Sequence, residues 1–102
     1  MHDLVEAKRH EIEELCRALA VRRLDVFGSA VSGSFDLESS DVDVLVEFAA
    51  GPDFDYFGAY FGLKEGLERI LDRPVDVVSV TAIRNPYFRQ EVMETRELLY
   101  AA

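Results

Sequence analysis

Two short valine-rich runs constrain this chain more than anything else in it: Asp41-Val42-Asp43-Val44-Leu45-Val46 and Pro74-Val75-Asp76-Val77-Val78-Ser79-Val80. β-Branched runs of this length read as strands. Asp41 and Asp43 lie two positions apart, so on a strand both carboxylates point to one face. Taken alone, such a pair also suits a solvated strand edge. Asp76 changes the balance, because an ionised acid among valine and proline neighbours is costly unless something compensates it. If the two strands are neighbours, Asp76 joins Asp41 and Asp43, and each carboxylate pair at about 4 Å repels by ~4 kcal/mol at an effective dielectric near 20. A divalent cation resolves that conflict. Hard oxygen donors without His or Cys point to Mg²⁺ or Mn²⁺.

Ahead of the first run, Leu24-Asp25-Val26-Phe27 reads as another strand, broken at Gly28. A glycine there lets the backbone turn sharply and approach a ligand closely. Ser29 adds a hydroxyl and an N–H at the expected mouth of a short helix, where phosphate oxygens bind well. By itself Gly-Ser is an ordinary turn; its place ahead of the acids gives it interest.

Together these segments resemble the DNA polymerase β-type nucleotidyltransferase superfamily, and within it the minimal nucleotidyltransferases that act as antitoxins to HEPN-domain toxins. The likeness runs through nearly the whole chain: Phe27-Gly28-Ser29-Ala30, Ser40 to Phe48, Arg73 to Val78, Arg84-Asn85-Pro86 and Leu99-Tyr100-Ala101-Ala102. It implies a small mixed α/β sheet covered by helices. It also implies transfer of AMP from ATP to a tyrosine of a HEPN RNase partner. On that pattern Asp41, Asp43 and Asp76 are catalytic and bind two Mg²⁺ ions, with Mn²⁺ as a substitute, and Gly28 and Ser29 hold the β- and γ-phosphates. The chain departs from the pattern at Ser32, where many relatives carry an arginine or lysine. Arg84 or Arg73 then become the candidates to compensate, with a solvated surface role as the alternative for Arg84. A catalytically weak antitoxin that neutralises its partner by binding is the competing reading. An antibiotic-modifying nucleotidyltransferase is disfavoured, since no residues remain for a second substrate-holding domain.

At 102 residues the chain is one domain, near the small end of what a single core supports. Twenty acidic against eleven basic residues give a net charge of −9. Non-specific nucleic-acid binding rests on Lys and Arg neutralising phosphates, so a direct nucleic-acid role is not expected. An acidic surface suits a basic protein partner, and it also simply favours solubility. There is no apolar run long enough to span a bilayer and no signal-peptide character at Met1-His2-Asp3, so a cytoplasmic location is expected. Cys16 reads as a buried structural thiol, and His2 and His10 as surface residues.

The remaining elements follow from periodicity. Leu4, Val5, Ile12, Leu15, Cys16 and Leu19 predict one amphipathic helix from Asp3 to Ala20, with Asp3 able to cap it. Arg22 to Phe27 is the first strand, Ser29 to Ser34 a short helix, Phe35 to Ser40 a loop, and Asp41 to Phe48 the second strand. Gly51-Pro52-Asp53 predicts a break and a cap for a helix from about Phe54 to Leu71, with Phe57, Tyr60, Phe61, Leu67, Ile70 and Leu71 as its buried stripe. Phe54 and Tyr56 read as core or surface filler, with a base pocket as the alternative. Gly58, Gly62 and Gly66 fall on one face of this helix and each costs roughly 1 kcal/mol against alanine. Close packing, or a docking groove for a partner helix, would offset that. Val75 to Val80 is the third strand. Asn85-Pro86 caps and opens a helix from Pro86 to about Thr95, and Arg96 to Tyr100 is a last short strand or helical turn.

Overall fold

The computed structural model describes residues 3–28, 41–49 and 51–102. Ser29, Ser32, His2, the expected short helix Ser29–Ser34 and the loop Phe35–Ser40 lie outside the described residues. Among the described residues the elements run α1 (Asp3–Ala7), α2 (Arg9–Ala18), β1 (Val21–Phe27), β2 (Val42–Phe48), α3 (Tyr56–Leu71), β3 (Val75–Ser79), a 3-10 turn (Val80–Ala82), α4 (Pro86–Thr95) and β4 (Glu97–Ala101). The strands form one mixed sheet in the order β3-β2-β1-β4. β1 is antiparallel to both its neighbours, while β2 and β3 run parallel.

The valine runs form the parallel pair β2 and β3 of a sheet with apolar clusters on both faces, which favours continuous apolar sequence over alternation. One face carries Leu24, Val26, Val42, Val44, Val46, Val75, Val77 and Leu99, packed under Val5, Ile12 and Cys16 of the first two helices and Leu63, Leu67 and Leu71 of α3. Each fully buried Leu there contributes about 1.5–3 kcal/mol. The other face is a smaller cluster of Phe27, Leu45 and Val92, with Val78, Val80, Ile83 and Met93 around it. Buried Cys16 has its thiol pushed up to about 12, chiefly by desolvation.

The expected single first helix is two. Lys8 stands between them at φ −105 and ψ 9, its N–H donating to Val5 O three residues back, so the turn tightens while the apolar spacing continues across it. The third helix starts at Tyr56, two residues later than predicted. Phe54 N–H closes a turn onto Gly51 O, and Asp55, not Asp53, caps the helix by accepting from Gly58 N at 2.9 Å. Its buried stripe is Ala59, Leu63, Gly66, Leu67 and Leu71. Tyr60 and Ile70 are partly buried against the core, but Phe57 is 73% and Phe61 39% exposed, contrary to the sequence expectation. Gly62 and Gly66 face Leu19 and Leu15 of the α2 region closely enough that a Cβ on Gly66 would fall 2.6 Å from Leu15. The glycines therefore serve close packing between helices, not a vacant groove.

Both ends of the C-terminal half form as expected. Asn85 accepts from Tyr87 N and Phe88 N, with Pro86 in the first turn of α4, and the last segment is a strand. The two outer strands are held by side chains of the helices. On β3, Lys64 Nζ donates to Val75 O at 2.6 Å, Val75 N donates to Glu68 at 3.1 Å, and Tyr60 OH donates to Val77 O at 2.9 Å. On β4, Arg9 donates to Leu98 O and Leu99 O at 3.3 and 3.1 Å.

Candidate active site

The side chains anchoring Val75 and Val77 also fix Asp76, which lies between them. Val75 and Val77 point into the larger core, so strand alternation puts Asp76 on the opposite face. On β2 the same alternation buries Val42 and Val44 and places Asp43 on that face too. In the parallel register Asp43 stands directly beside Asp76. Across the antiparallel register Asp43 faces Phe27, the last residue of β1. Gly28 follows, at φ 72. Here glycine answers two demands at once: the left-handed backbone, and a close approach that would put a Cβ 2.6 Å from Asp43 Oδ2.

The Asp43 carboxyl is half-buried, and its pKa is raised by desolvation first, then by the charges of Asp76 and Asp41. Asp43 thus sits between two neighbouring carboxylates at one end of the sheet, with Asp41 and Asp76 themselves exposed. Among the described residues, no Arg or Lys forms an ion pair with any of them: Arg22 pairs with Glu47 and Arg23 with Asp25. The set fits a hard divalent cation in kind, being carboxylate oxygens with uncompensated charge. It is not gathered tightly. Among the described residues, no three His, Cys, Asp or Glu side chains stand close enough to hold a metal ion. The register does bring Asp43 and Asp76 side by side, with Asp41 within electrostatic reach of Asp43.

Arg84 is exposed in the segment before α4. Nearby, Phe88 of α4 packs edge-on against Phe27 at 6.2 Å between ring centres, so the start of α4 lies on the same sheet face as the acids. Ser29 lies outside the described residues. One acid escaped the sequence reading. Asp25 is only 1% exposed, on the same strand face as Phe27, and accepts from Arg23 at 2.9 and 3.1 Å and from Arg96 at 3.5 Å. Its two arginines neutralise it, which sets it apart from the other three. The only sequence signal was the Arg23-Leu24-Asp25 spacing, which puts cation and anion on one face.

Fold and acids together describe a class: small α/β domains whose parallel strand pair begins with paired carboxylates beside a glycine turn. Within that class the chain belongs to the nucleotidyltransferase domain family, whose sequence pattern matches residues 9–99. The protein adenylyltransferase MntA of Thermococcus cleftensis is 38% identical over 73 residues, covering 72% of this chain and 70% of that protein. A solved structure described as a candidate minimal nucleotidyltransferase matches with a TM-score of 0.76 at 31% identity, covering 95% of both chains. A chain from a toxin–antitoxin crystal structure with AMP-PNP matches with a TM-score of 0.71 at 25% identity, covering 92% of this chain and 73% of that one.

Proposed function

We propose that this protein is an adenylyltransferase antitoxin: it transfers AMP from ATP to a tyrosine hydroxyl of a HEPN-domain RNase toxin. The observation that carries the reading is the placing of Asp43 beside Asp76, next to a glycine whose missing side chain keeps the approach to them open. The relatives support it, one being named a protein adenylyltransferase and one coming from a toxin–antitoxin structure with an ATP analogue.

In this reading the partner's tyrosine oxygen attacks the α-phosphorus of ATP. The bond to the β-phosphate oxygen breaks, pyrophosphate leaves, and the tyrosine proton passes to a carboxylate or to water. Asp41, Asp43 and Asp76 would hold Mg²⁺, or Mn²⁺ in its place, which supplies charge neutralisation at the attacking and leaving oxygens. Asp76 would accept the proton. Gly28 and Ser29 hold the β- and γ-phosphates, and Arg84 is the exposed cation assigned to the triphosphate. Most of the acceleration then comes from positioning and electrostatic stabilisation. Adding a nucleotide to the RNase's tyrosine blocks it by bulk and by negative charge, which repels RNA.

The test supplies the protein with Mg²⁺, labelled ATP and a HEPN-domain toxin as candidate partner. Label should appear on the partner and disappear when the partner's acceptor tyrosine becomes phenylalanine. Tight binding without label at saturating Mg²⁺ would refute transfer and leave neutralisation by binding alone.

A further inference from the structure

At the far end of the parallel pair from the acids, the carboxyl ends of β2 and β3 frame a cavity of about 320 Å³. Glu47 lies four residues beyond Asp43 on the same strand face, which at about 3.3 Å per residue is roughly 13 Å away. The cavity walls include the rings of Phe48 and Tyr56, the carboxylate of Glu47, and the hydroxyl-bearing Ser79 and Thr81. Those two hydroxyls bond each other at 3.1 Å. Glu47 pairs with Arg22 at 3.5 Å, both exposed, a kind of pair worth little in water, and it stands across the strands from Arg23, which is itself bonded to Asp25.

The cavity opens beside a continuous series of rings. Phe54 and Tyr56 pack on Phe48 at 5.4 and 5.5 Å, Tyr56 stacks on Tyr60 at 6.4 Å, Tyr60 meets Phe61 at 5.2 Å, and Phe61 meets Phe57 at 4.7 Å. Tyr56, Phe57 and Phe61 are 45, 73 and 39% exposed. Exposed aromatics in contact with one another are a costly surface unless something covers them. Around them stand the exposed acids Asp53, Asp55 and Glu65. Lys64, the nearest cation on the helix, is already bonded to Glu68 and Val75 O.

We propose that this cavity and the aromatic ridge of α3 beside it form the docking surface for a basic segment of the toxin partner, with one lysine or arginine side chain seated between the Phe48 and Tyr56 rings and Glu47. The chemistry selects the occupant. Two aromatic rings and one carboxylate suit the aliphatic stem and charged head of a long cation, and ring faces attract such a head directly. The volume is at the small end of the roughly 300–1,000 Å³ typical of ligand pockets, sized for one long side chain. The acid rim and the net charge of −9 complement a basic partner and speed its encounter. The inference rests on the antitoxin reading and adds to it where the partner is held, well clear of the transfer site.

The experiment measures affinity for the HEPN-domain toxin that serves as candidate partner in the transfer assay by calorimetry, at low and high salt, for wild type, Glu47→Gln and the double variant Phe57→Ala/Phe61→Ala. All three side chains are exposed, so circular dichroism and ATP binding should match wild type. The double variant should bind the partner at least ~10-fold more weakly, the loss typical of removing an interface anchor. Glu47→Gln should weaken binding several-fold and flatten its salt dependence. If wild type binds the partner and all variants bind equally well, the docking inference falls while the antitoxin reading stands. If wild type neither binds nor labels the partner, both fall. If wild type self-associates and the double variant is a monomer with unchanged partner affinity, the ridge joins two copies of this chain and the inference is overturned.

Discussion

Gly28→Ala probes the join between backbone and site most directly. The substitution has two separable costs. An L-residue held at φ 72 costs about 1–2 kcal/mol relative to glycine. The new Cβ also falls 2.6 Å from Asp43 Oδ2, inside ordinary contact distance, so the carboxylate must give way; as it is half-buried, the overpacking adds about 1 kcal/mol. The sum of about 2–3 kcal/mol corresponds to a fall in Tm of roughly 10–20 °C for a domain of this size. A double-mutant cycle separates the parts: wild type, Gly28→Ala, Asp43→Ala and the double variant, unfolded in urea with chelator present. Asp43→Ala removes the atom that the Cβ strikes, so the double variant should be less destabilised than the sum of the singles by about 1 kcal/mol, while the backbone cost persists. Additivity within about 0.5 kcal/mol would refute the close approach. A Gly28→Ala protein as stable as wild type would refute the left-handed turn as well.

Two further outcomes are expected. Asp43→Asn and Asp76→Asn should each abolish transfer while leaving the metal-free fold as stable or more so. The Asp43 carboxyl is raised above its ordinary 3.8, so its ionisation opposes folding above that pH and the cost is relieved as pH falls; Tm against pH in chelator measures this, and a marked loss of stability in either variant would show the acids to be structural. Glu68 is the reverse case: the Val75 N–H first, then Lys64, hold its carboxyl below the ordinary 4.5. Its contribution is complete above that value and fades as pH falls through the lower folded one. Glu68→Gln should therefore cost up to about 1 kcal/mol at neutral pH, since the group is partly exposed, and almost nothing near pH 2; a cost independent of pH would contradict the assignment.

The strands that carry the acids were readable because valine runs leave little choice of conformation, and Asn85-Pro86 marked the start of α4 through capping chemistry alone. α3 was harder. Its rival stripes are an aromatic one, Phe57 and Phe61, and one built on Ala59, Leu63 and Gly66. Hydrophobicity favours the aromatics, yet only the small residues let α2 approach, so the glycines marked the buried face. The break at Lys8 left no mark, because apolar spacing is the same on both sides of it. At the site, residue identity and register were legible. How closely the carboxylates converge was not, as that depends on side-chain rotamers that residue identity and register leave open. Asp25 was missed although Arg23 lies two residues away on the same strand; its second partner, Arg96, meets it only once the chain after α4 returns to the sheet.

The side chains of the helices that hold β3 and β4 also decide how this protein can be recognised. A flanking strand normally offers a free row of amides and carbonyls, and many proteins capture peptides by extending their sheet there. Here Lys64, Glu68 and Tyr60 already occupy groups of Val75 and Val77. On β4, Arg9 holds the carbonyls of Leu98 and Leu99 where the register with β1 slips. β-Augmentation is therefore obstructed along β3. That protects a small, strand-rich chain from adding copies of itself along this edge, and it leaves a binding partner there to be read by side chains rather than by backbone.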